Sequence, residues 1–254
     1  MGILLTWFVL ALKKIDLASA AAVRLTKLTG KSEVPVHPKH FLTQTPWFTK
    51  YIKKNDRVLD LGCGNGQNTK KAAKIAKKVV GIDLDENSLA LAKKSIRLKN
   101  ITFKKVGLEK PLPFKDASFN KVLFLDVLEH LEKRDQALDE AKRVLVPGGL
   151  LFLAVPNSLT SWKKLQRKAG ICSYSDPDHK IEFTPNSIRL LLKRHKLKIL
   201  KFGYGKFDIP ARGAVDVLGA FSLSFYKLVS AKREKLAQTY PNEASGFEIV
   251  AQKI

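Results

Sequence analysis

Between Arg57 and Asn157, short apolar runs alternate with segments of helical periodicity. "RVLDLG" (57–62), "KVVGID" (78–83), "ITFKKVG" (101–107), "KVLFLDVL" (121–128) and "LLFLAVPN" (150–157) read as strands. Residues 67–77, 86–100 and 132–146 read as the helices between them, with Leu89, Ala92 and Ile96 on one face of the second. The third is stopped by Pro147-Gly148-Gly149. Strands joined by single helices pair in parallel, and the crossovers lay helices on both faces of the sheet. The spacing therefore predicts an α/β fold with a doubly wound, mostly parallel sheet. "KVLFLDVL" is the most apolar run and belongs at the centre. Ligands of such sheets sit at the carboxyl ends of the strands.

The flanks are less regular. Residues 3–29 read as an apolar helix, "GKSEVPVHPK" as a break, and 39–54 as a second short helix. After Asn157 the alternation fails until 184–196, a helix with Pro185 in its first turn. Residues 158–183 show no period. "KILKFGYG" (198–205) and "FEIVAQKI" (247–254) read as closing strands, with 209–228 between them as one apolar helix. The expected organisation is a single domain: N-terminal helices over the ligand site (1–56), a ligand-binding core (57–157), and an acceptor cover with closing strands (158–254).

Charge and cysteine content narrow the partners. Lys and Arg number 46 against 23 acids, a formal charge of +23. Such a surface suits an anionic partner, RNA or an acidic membrane face, or is simply a set of solvated lysine faces. Residues 162–206 carry 12 basic and 3 acidic residues. Cys63 and Cys172 make neither a disulfide framework nor a metal cluster, and no metal site is expected. A reducing, cytoplasmic compartment fits them. The apolar N-terminus is too short to span a bilayer and lacks signal-peptide features, so it is expected to be buried or to lie in a membrane surface. Residues 209–228 are a second candidate for peripheral membrane contact, with Arg212 and Asp216 arguing against a span.

The candidate site is "VLDLGCGNGQ" (58–67). A phosphate-binding P-loop needs a lysine that is absent here. A dinucleotide fingerprint needs a glycine where Gln67 stands. Gly62, Gly64 and Gly66 leave a bare turn suited to a nucleoside-like ligand. Asp83 closes the next strand, where a carboxylate can accept both hydroxyls of a ribose.

With "VVGIDLDENSL", "LPFKDASFNKVLFLDVLEHL" and "RVLVPGGLLFLAVPN" following in order, the chain resembles class I S-adenosylmethionine-dependent methyltransferases. It is most similar to the type 11 group that includes ubiquinone-pathway O-methyltransferases. The resemblance runs from about His40 to Pro156 and more weakly beyond. It implies a Rossmann-like seven-stranded sheet with an antiparallel last strand, and S-adenosyl-L-methionine as cofactor. It also implies roles for residues of this chain. Asp60, Gly62 and Gly64 would border the methionine part, and Cys63 and Gln67 of the same loop are counted with the cofactor-binding residues, Cys63 as a small filler and no nucleophile. Asp83 would hold the ribose and Leu84 pack on adenine. Leu108 and Glu109 would meet the adenine edge, Glu109 standing in for an acid that relatives carry at the position of Gly107. Asp126 and Val127 would line the sulfonium side. Asn120 stands where an aspartate is common.

A general base assists if the acceptor is a hydroxyl. His130 lies just past the fourth strand and is the candidate catalytic residue; Glu129 is expected to face solvent, and His179 to sit in a surface loop or reach in from the cover. "DVLEHL" is not the turn that goes with base-amine methylation, and Cys172 lacks the context of a pyrimidine C5 nucleophile. The expected acceptor is a small or lipid-like molecule, methylated on oxygen or nitrogen. The alternatives are an RNA nucleoside, held by Lys163, Lys164, Arg167 and Lys168 beside Trp162, and a non-catalytic cofactor-binding module. The oligomeric state is open.

Overall fold

The computed structural model describes residues 3–25, 37–41 and 46–254. In chain order the elements are α1 (Ile3–Leu25), β1 (Arg57–Leu61), α2 (Gln67–Ala73), β2 (Lys78–Asp83), α3 (Glu86–Ser95) and β3 (Ile101–Lys105). There follow β4 (Phe119–Leu125), α4 (Arg134–Val144), β5 (Leu145–Pro156), α5 (Ser161–Lys168) and α6 (Pro185–Arg194). β6 (Leu197–Tyr204), α7 (Arg212–Phe221), α8 (Leu223–Thr239) and β7 (Gly246–Lys253) complete the chain. Residues 26–29 of the expected first helix, most of the predicted break, and 42–45 of the second helix lie outside the described residues.

The chain divides into two units. One holds residues 45–156, 178–203 and 247–254; the other holds 1–44, 157–177 and 204–246. The first carries a seven-stranded sheet of order β3-β2-β1-β4-β5-β7-β6. β1 pairs in parallel with β2 and β4, β2 with β3, and β4 with β5. The Gly205 amide donates to Gly246 O, and Gly203 lies against Glu248 O, so β7 runs antiparallel to β6. Side chains alternate across the sheet. Leu59, Leu61, Val122 and Phe124 enter one buried layer, while Val58, Leu123 and Phe152 enter the other. Both layers are covered, which is why these strands read as continuous apolar runs.

Local sequence explains most boundaries. α3 starts at Asp85, whose carboxylate accepts from the Asn87 and Ser88 amides. Its face of Leu89, Ala92 and Ile96 is buried as expected. α6 opens with a reciprocal capping box between Thr184 and Ser187, with Pro185 in the first turn. Asn120 accepts the Arg57 amide at 2.8 Å through its side-chain oxygen, tying the start of β1 to β4.

Four element expectations are corrected. β4 ends at Leu125 because Asp126 takes a left-handed backbone, φ 58°. α4 ends at Val144, before Pro147-Gly148-Gly149, which instead make an irregularity in β5: the pairing shifts between Phe119↔Leu145 and Lys121↔Leu150. Residues 46–54 hold a short 3-10 turn at Thr49–Tyr51, where Trp47, Phe48 and Tyr51 pack on Phe152. The single helix expected over 209–228 is two helices. Ser222 has an extended backbone (φ −131°, ψ 97°), and its hydroxyl accepts the Phe225 amide to start α8. Gly219 makes the return possible, since a Cβ there would lie 2.3 Å from the Tyr226 ring.

The second unit also contains a helix the sequence did not announce. α5 starts at Thr160, whose hydroxyl accepts the Lys163 amide and donates to Asp208 at 2.7 Å. Asn157 fixes its approach by donating through its side-chain amide to Asn242 O and Ala244 O. α1 packs against α7, where the Asp16 carboxylate accepts the Gly213 amide at 2.7 Å. No described helix is long and apolar enough to cross a membrane.

Candidate functional site

The sheet order reverses between β1 and β4, so the crevice of a doubly wound sheet opens at their carboxyl ends. Gly62, Gly64 and Gly66 fill the turn from β1 to α2, all at positive φ (67°, 50° and 76°). Each has its own steric reason. A Cβ on Gly62 would meet the Val127 side chain at 2.5 Å, and one on Gly66 would meet Phe103 and Ile96 at 2.8–2.9 Å. A Cβ on Gly64 would meet no protein atom within 4 Å. The outer two glycines let strand, helix and neighbouring loop close together, while the middle one presents bare backbone to the crevice.

Asp83 ties that backbone down. Its Oδ2 accepts the Gly64 amide at 2.7 Å and its Oδ1 accepts the Asp85 amide at 2.9 Å. An ionised carboxylate has about four acceptor positions, so two amides leave capacity for two hydroxyls. Leu84 follows with its side chain 67% exposed, in reach of the open face at Gly107. Leu108 is buried in the core beneath.

Asp60 is buried under the loop and accepts the Thr69 hydroxyl at 2.6 Å. Burial, with a smaller contribution from the Asp83 charge, pushes its pKa up to about 7. Cys63 is buried beside Gly81, and burial pushes its thiol far above the ordinary range, so the residue is a filler and no nucleophile. Gln67 stands at the start of α2, half-buried. Glu109 is engaged by backbone groups. Its Oε1 accepts the Glu132 and Lys133 amides at 2.5 and 3.0 Å, which holds its carboxyl below the usual range.

Across the crevice, Asp126 is exposed and its amide donates to Ala154 O at 3.0 Å. Val127 contacts Gly62, and the chain then makes a 3-10 turn over Leu128–His130. That turn corrects one expectation: Glu129 is 2% exposed, not solvent-facing. His179 is no surface histidine either. Its side chain is 7% exposed, its Nε2 lies 3.9 Å from Glu129 and its Nδ1 lies 3.1 Å from Glu182. The His130 and His179 rings meet edge to face at 4.7 Å. Glu182 was not singled out in the sequence, since nothing in the pattern ties it to the end of β4.

The basic stretch is less uniform than its composition. Lys163 is buried and donates to Asn157 O at 2.7 Å, while Arg167 donates to the Ser173 hydroxyl. Lys164 and Lys168 are exposed.

Residues 59–153 match the family model described as a methyltransferase domain. A probable S-adenosylmethionine-dependent methyltransferase of Mycolicibacterium smegmatis is 36% identical over 142 residues, covering 52% of either chain. A ubiquinone biosynthesis O-methyltransferase of Dechloromonas aromatica is 32% identical over 103 residues, covering 40% of this chain and 44% of its own. The chain thus spans about half the length of these curated relatives. The solved structure of a SAM-dependent methyltransferase from Methanosarcina mazei superposes with a TM-score of 0.57 at 23% identity, over 84% of this chain and 99% of that one. The residues present fit the cofactor of these names. The open backbone at Gly64, the Asp83 carboxylate bonded to it and the exposed Leu84 that follows suit a cradle, a diol acceptor and an apolar wall.

Proposed function

We propose that this chain, whose residues 59–153 are a class I S-adenosylmethionine-dependent methyltransferase domain, moves the methyl group of that cofactor to an oxygen of a small or lipid-like acceptor. When bound, the cofactor supplies an electrophilic methyl carbon on a sulfonium. The displacement is in line, so the work of the protein is alignment and exclusion of water. Asp83 accepts the ribose hydroxyls, Gly64 admits the ligand against the backbone, and Leu84 covers the adenine. Asp60 and Val127 flank the methionine end. His130 takes the proton of the acceptor hydroxyl. The observation that carries this reading is the Gly64–Asp83 clasp, a bare turn held by a carboxylate with acceptor capacity left over. Calorimetry with S-adenosyl-L-methionine tests it, and no binding heat refutes it. Incubation with methyl-labelled cofactor and a cell extract then locates the acceptor: label in the organic-soluble fraction is expected.

A lipid-like acceptor is supported by the second unit. On α1, Leu4, Trp7, Phe8 and Ile15 are exposed at helical spacing, with the exposed Lys14 beside them. On α7 and α8, Leu218, Phe221 and Leu228 are exposed by 54%, 71% and 71%. Apolar stripes edged with lysine suit the plane of an anionic membrane surface. The RNA reading draws less support, because Lys163 is turned inward and leaves Lys164, Arg167 and Lys168 as the remainder of that patch. Methyl label recovered in RNA would reverse this order.

A further inference from the structure

We infer that Glu129, His130 and His179 bind a divalent first-row transition cation. One ligand atom from each lies within 4.8 Å of the other two. They come from segments nearly fifty residues apart, held together by backbone bonds rather than by the side chains themselves. The Lys180 and Ile181 amides donate to Glu129 O at 2.8 and 3.3 Å, and the Phe183 amide donates to Pro156 O at 3.0 Å. The returning segment is thereby pinned against the 3-10 turn at the end of β4.

The chemistry within the cluster is that of a ligand set. Glu182 Oε1 lies 3.1 Å from His179 Nδ1, and in the tautomer that donates to it Nε2 is the nitrogen turned to a cation. Nε2 points toward Glu129 Oε1 at 3.9 Å, too far for a hydrogen bond and wide enough for an ion between them. Metal–ligand bonds of about 2.0–2.2 Å at tetrahedral angles put ligand atoms ~3.4 Å apart, so the set draws together by about an ångström on binding. His130 is half-buried and, with His179, more exposed to solvent than Glu129. The Glu129, His179 and Glu182 side chains are 2%, 7% and 0% exposed. Two carboxylates taken this far from water are favoured by a nearby positive charge, which a divalent ion supplies. Two imidazoles with one carboxylate select zinc, manganese or iron over magnesium or calcium.

Three protein ligands leave coordination positions open. Resting on the methyl-transfer reading, one open position would take the acceptor oxygen and lower its pKa, so that its proton passes to solvent and not to His130, which is then a ligand; the oxygen–methyl bond forms as the methyl–sulfur bond breaks and the electron pair leaves with the neutral thioether. The cation site itself does not depend on that reading.

The test uses untagged full-length protein, stripped with chelator and titrated separately with Zn²⁺, Mn²⁺ and Mg²⁺ by calorimetry. Metal content is read by mass spectrometry after desalting. One equivalent of Zn²⁺ or Mn²⁺ is expected, with Mg²⁺ at least 100-fold weaker. Glu129→Gln and His179→Ala should each weaken binding at least 100-fold, and Glu182→Gln about 10- to 100-fold. Should a buried substitution unfold the chain, His130→Asn on the half-buried ligand carries the same prediction. Absence of stoichiometric binding, or binding indifferent to all four substitutions, overturns the site. Metal binding without S-adenosyl-L-methionine binding would sink the methyltransferase reading and leave the cation site standing. Bound cofactor with methyl transfer unaffected by chelation would remove only the role given to the acceptor oxygen.

Discussion

Asp60→Asn separates what the loop needs for folding from what it needs for binding. Asp60 is 2% exposed, and its Oδ2 accepts the Thr69 hydroxyl. Its pKa is pushed from 3.8 to about 7 by burial first and the Asp83 charge second. The unfolded chain ionises this group near pH 4. Between roughly pH 4 and 7 the folded state therefore keeps a proton that the unfolded state has lost. Stability conferred by the protonated carboxyl is full below the unfolded value and is lost as pH rises through the folded one. Each pH unit in the window is about 1.4 kcal/mol, so the ionisable side chain costs about 4 kcal/mol by pH 7 and no more beyond it.

Asparagine keeps an acceptor for Thr69 and has nothing to ionise. Its added amide protons shift the whole stability curve by a pH-independent amount, so the slope is the quantity to read. From pH 5 to 8, wild type should lose about 3 kcal/mol relative to the variant, roughly 5–10 °C in Tm for a chain of this size. Urea denaturation and thermal melts without cofactor, at half-unit pH steps, measure the difference. The same substitution should weaken S-adenosyl-L-methionine binding at least 10-fold at pH 8, because the carboxylate faces the cationic end of that ligand in the proposed pose. Wild-type affinity should rise as pH passes through about 7, with proton release seen across buffers of different ionisation enthalpy. Parallel stability curves for the two proteins would refute the burial argument. Parallel affinities would refute the placement of the ligand.

The remaining expectations are simpler. Gly64→Ala should fold with a loss of about 1–2 kcal/mol for its positive φ, yet lose at least 10-fold in cofactor affinity, since its Cβ points at no protein atom; unchanged affinity by calorimetry would put the ligand elsewhere. Asp83→Asn should bind the cofactor at least 10-fold more weakly and erase any preference for a ribose over a 2′-deoxyribose analogue, read by competition. Phe221→Ser combined with Leu228→Ser should abolish sedimentation with anionic liposomes at unchanged Tm, whereas equal pelleting would end the membrane-face argument. Ser222→Ala removes the N-cap of α8 and should cost about 1 kcal/mol, roughly 2–4 °C in Tm.

How far the sequence reached depends on how local each cause was. The glycine turn, the Asp83 position and the strand alternation were legible because each follows from φ, pleat or periodicity within a few residues. Leu89, Ala92 and Ile96 fell on the buried face for the same reason. Ser222 misled because an apolar composition ran through it unbroken, and its break is decided by Gly219 against Tyr226. α5 escaped notice because its basic, polar sequence shows no apolar period and its cap is held from far along the chain, by Asp208 on the Thr160 hydroxyl. Counting Lys163 toward a charged surface was the same error at the level of one side chain.

Glu129 shows why the two halves of the crevice differ in legibility. The half proposed for the cofactor is made by loops that follow immediately on β1, β2 and β4, so its residues are written where the strands end. The opposite half depends on a segment that leaves the sheet after Asn157 and returns at Asp178. The backbone bonds from Lys180 and Ile181 to Glu129 O, and from Phe183 to Pro156 O, bring His179 and Glu182 against the end of β4. A glutamate after an apolar strand reads as a solvated turn residue until that return is known. The glycine turn and Asp83 thus sit in contiguous motifs, while Glu129, His179 and Glu182 meet through a long-range contact, which is why the first group was legible in the chain and the second was not.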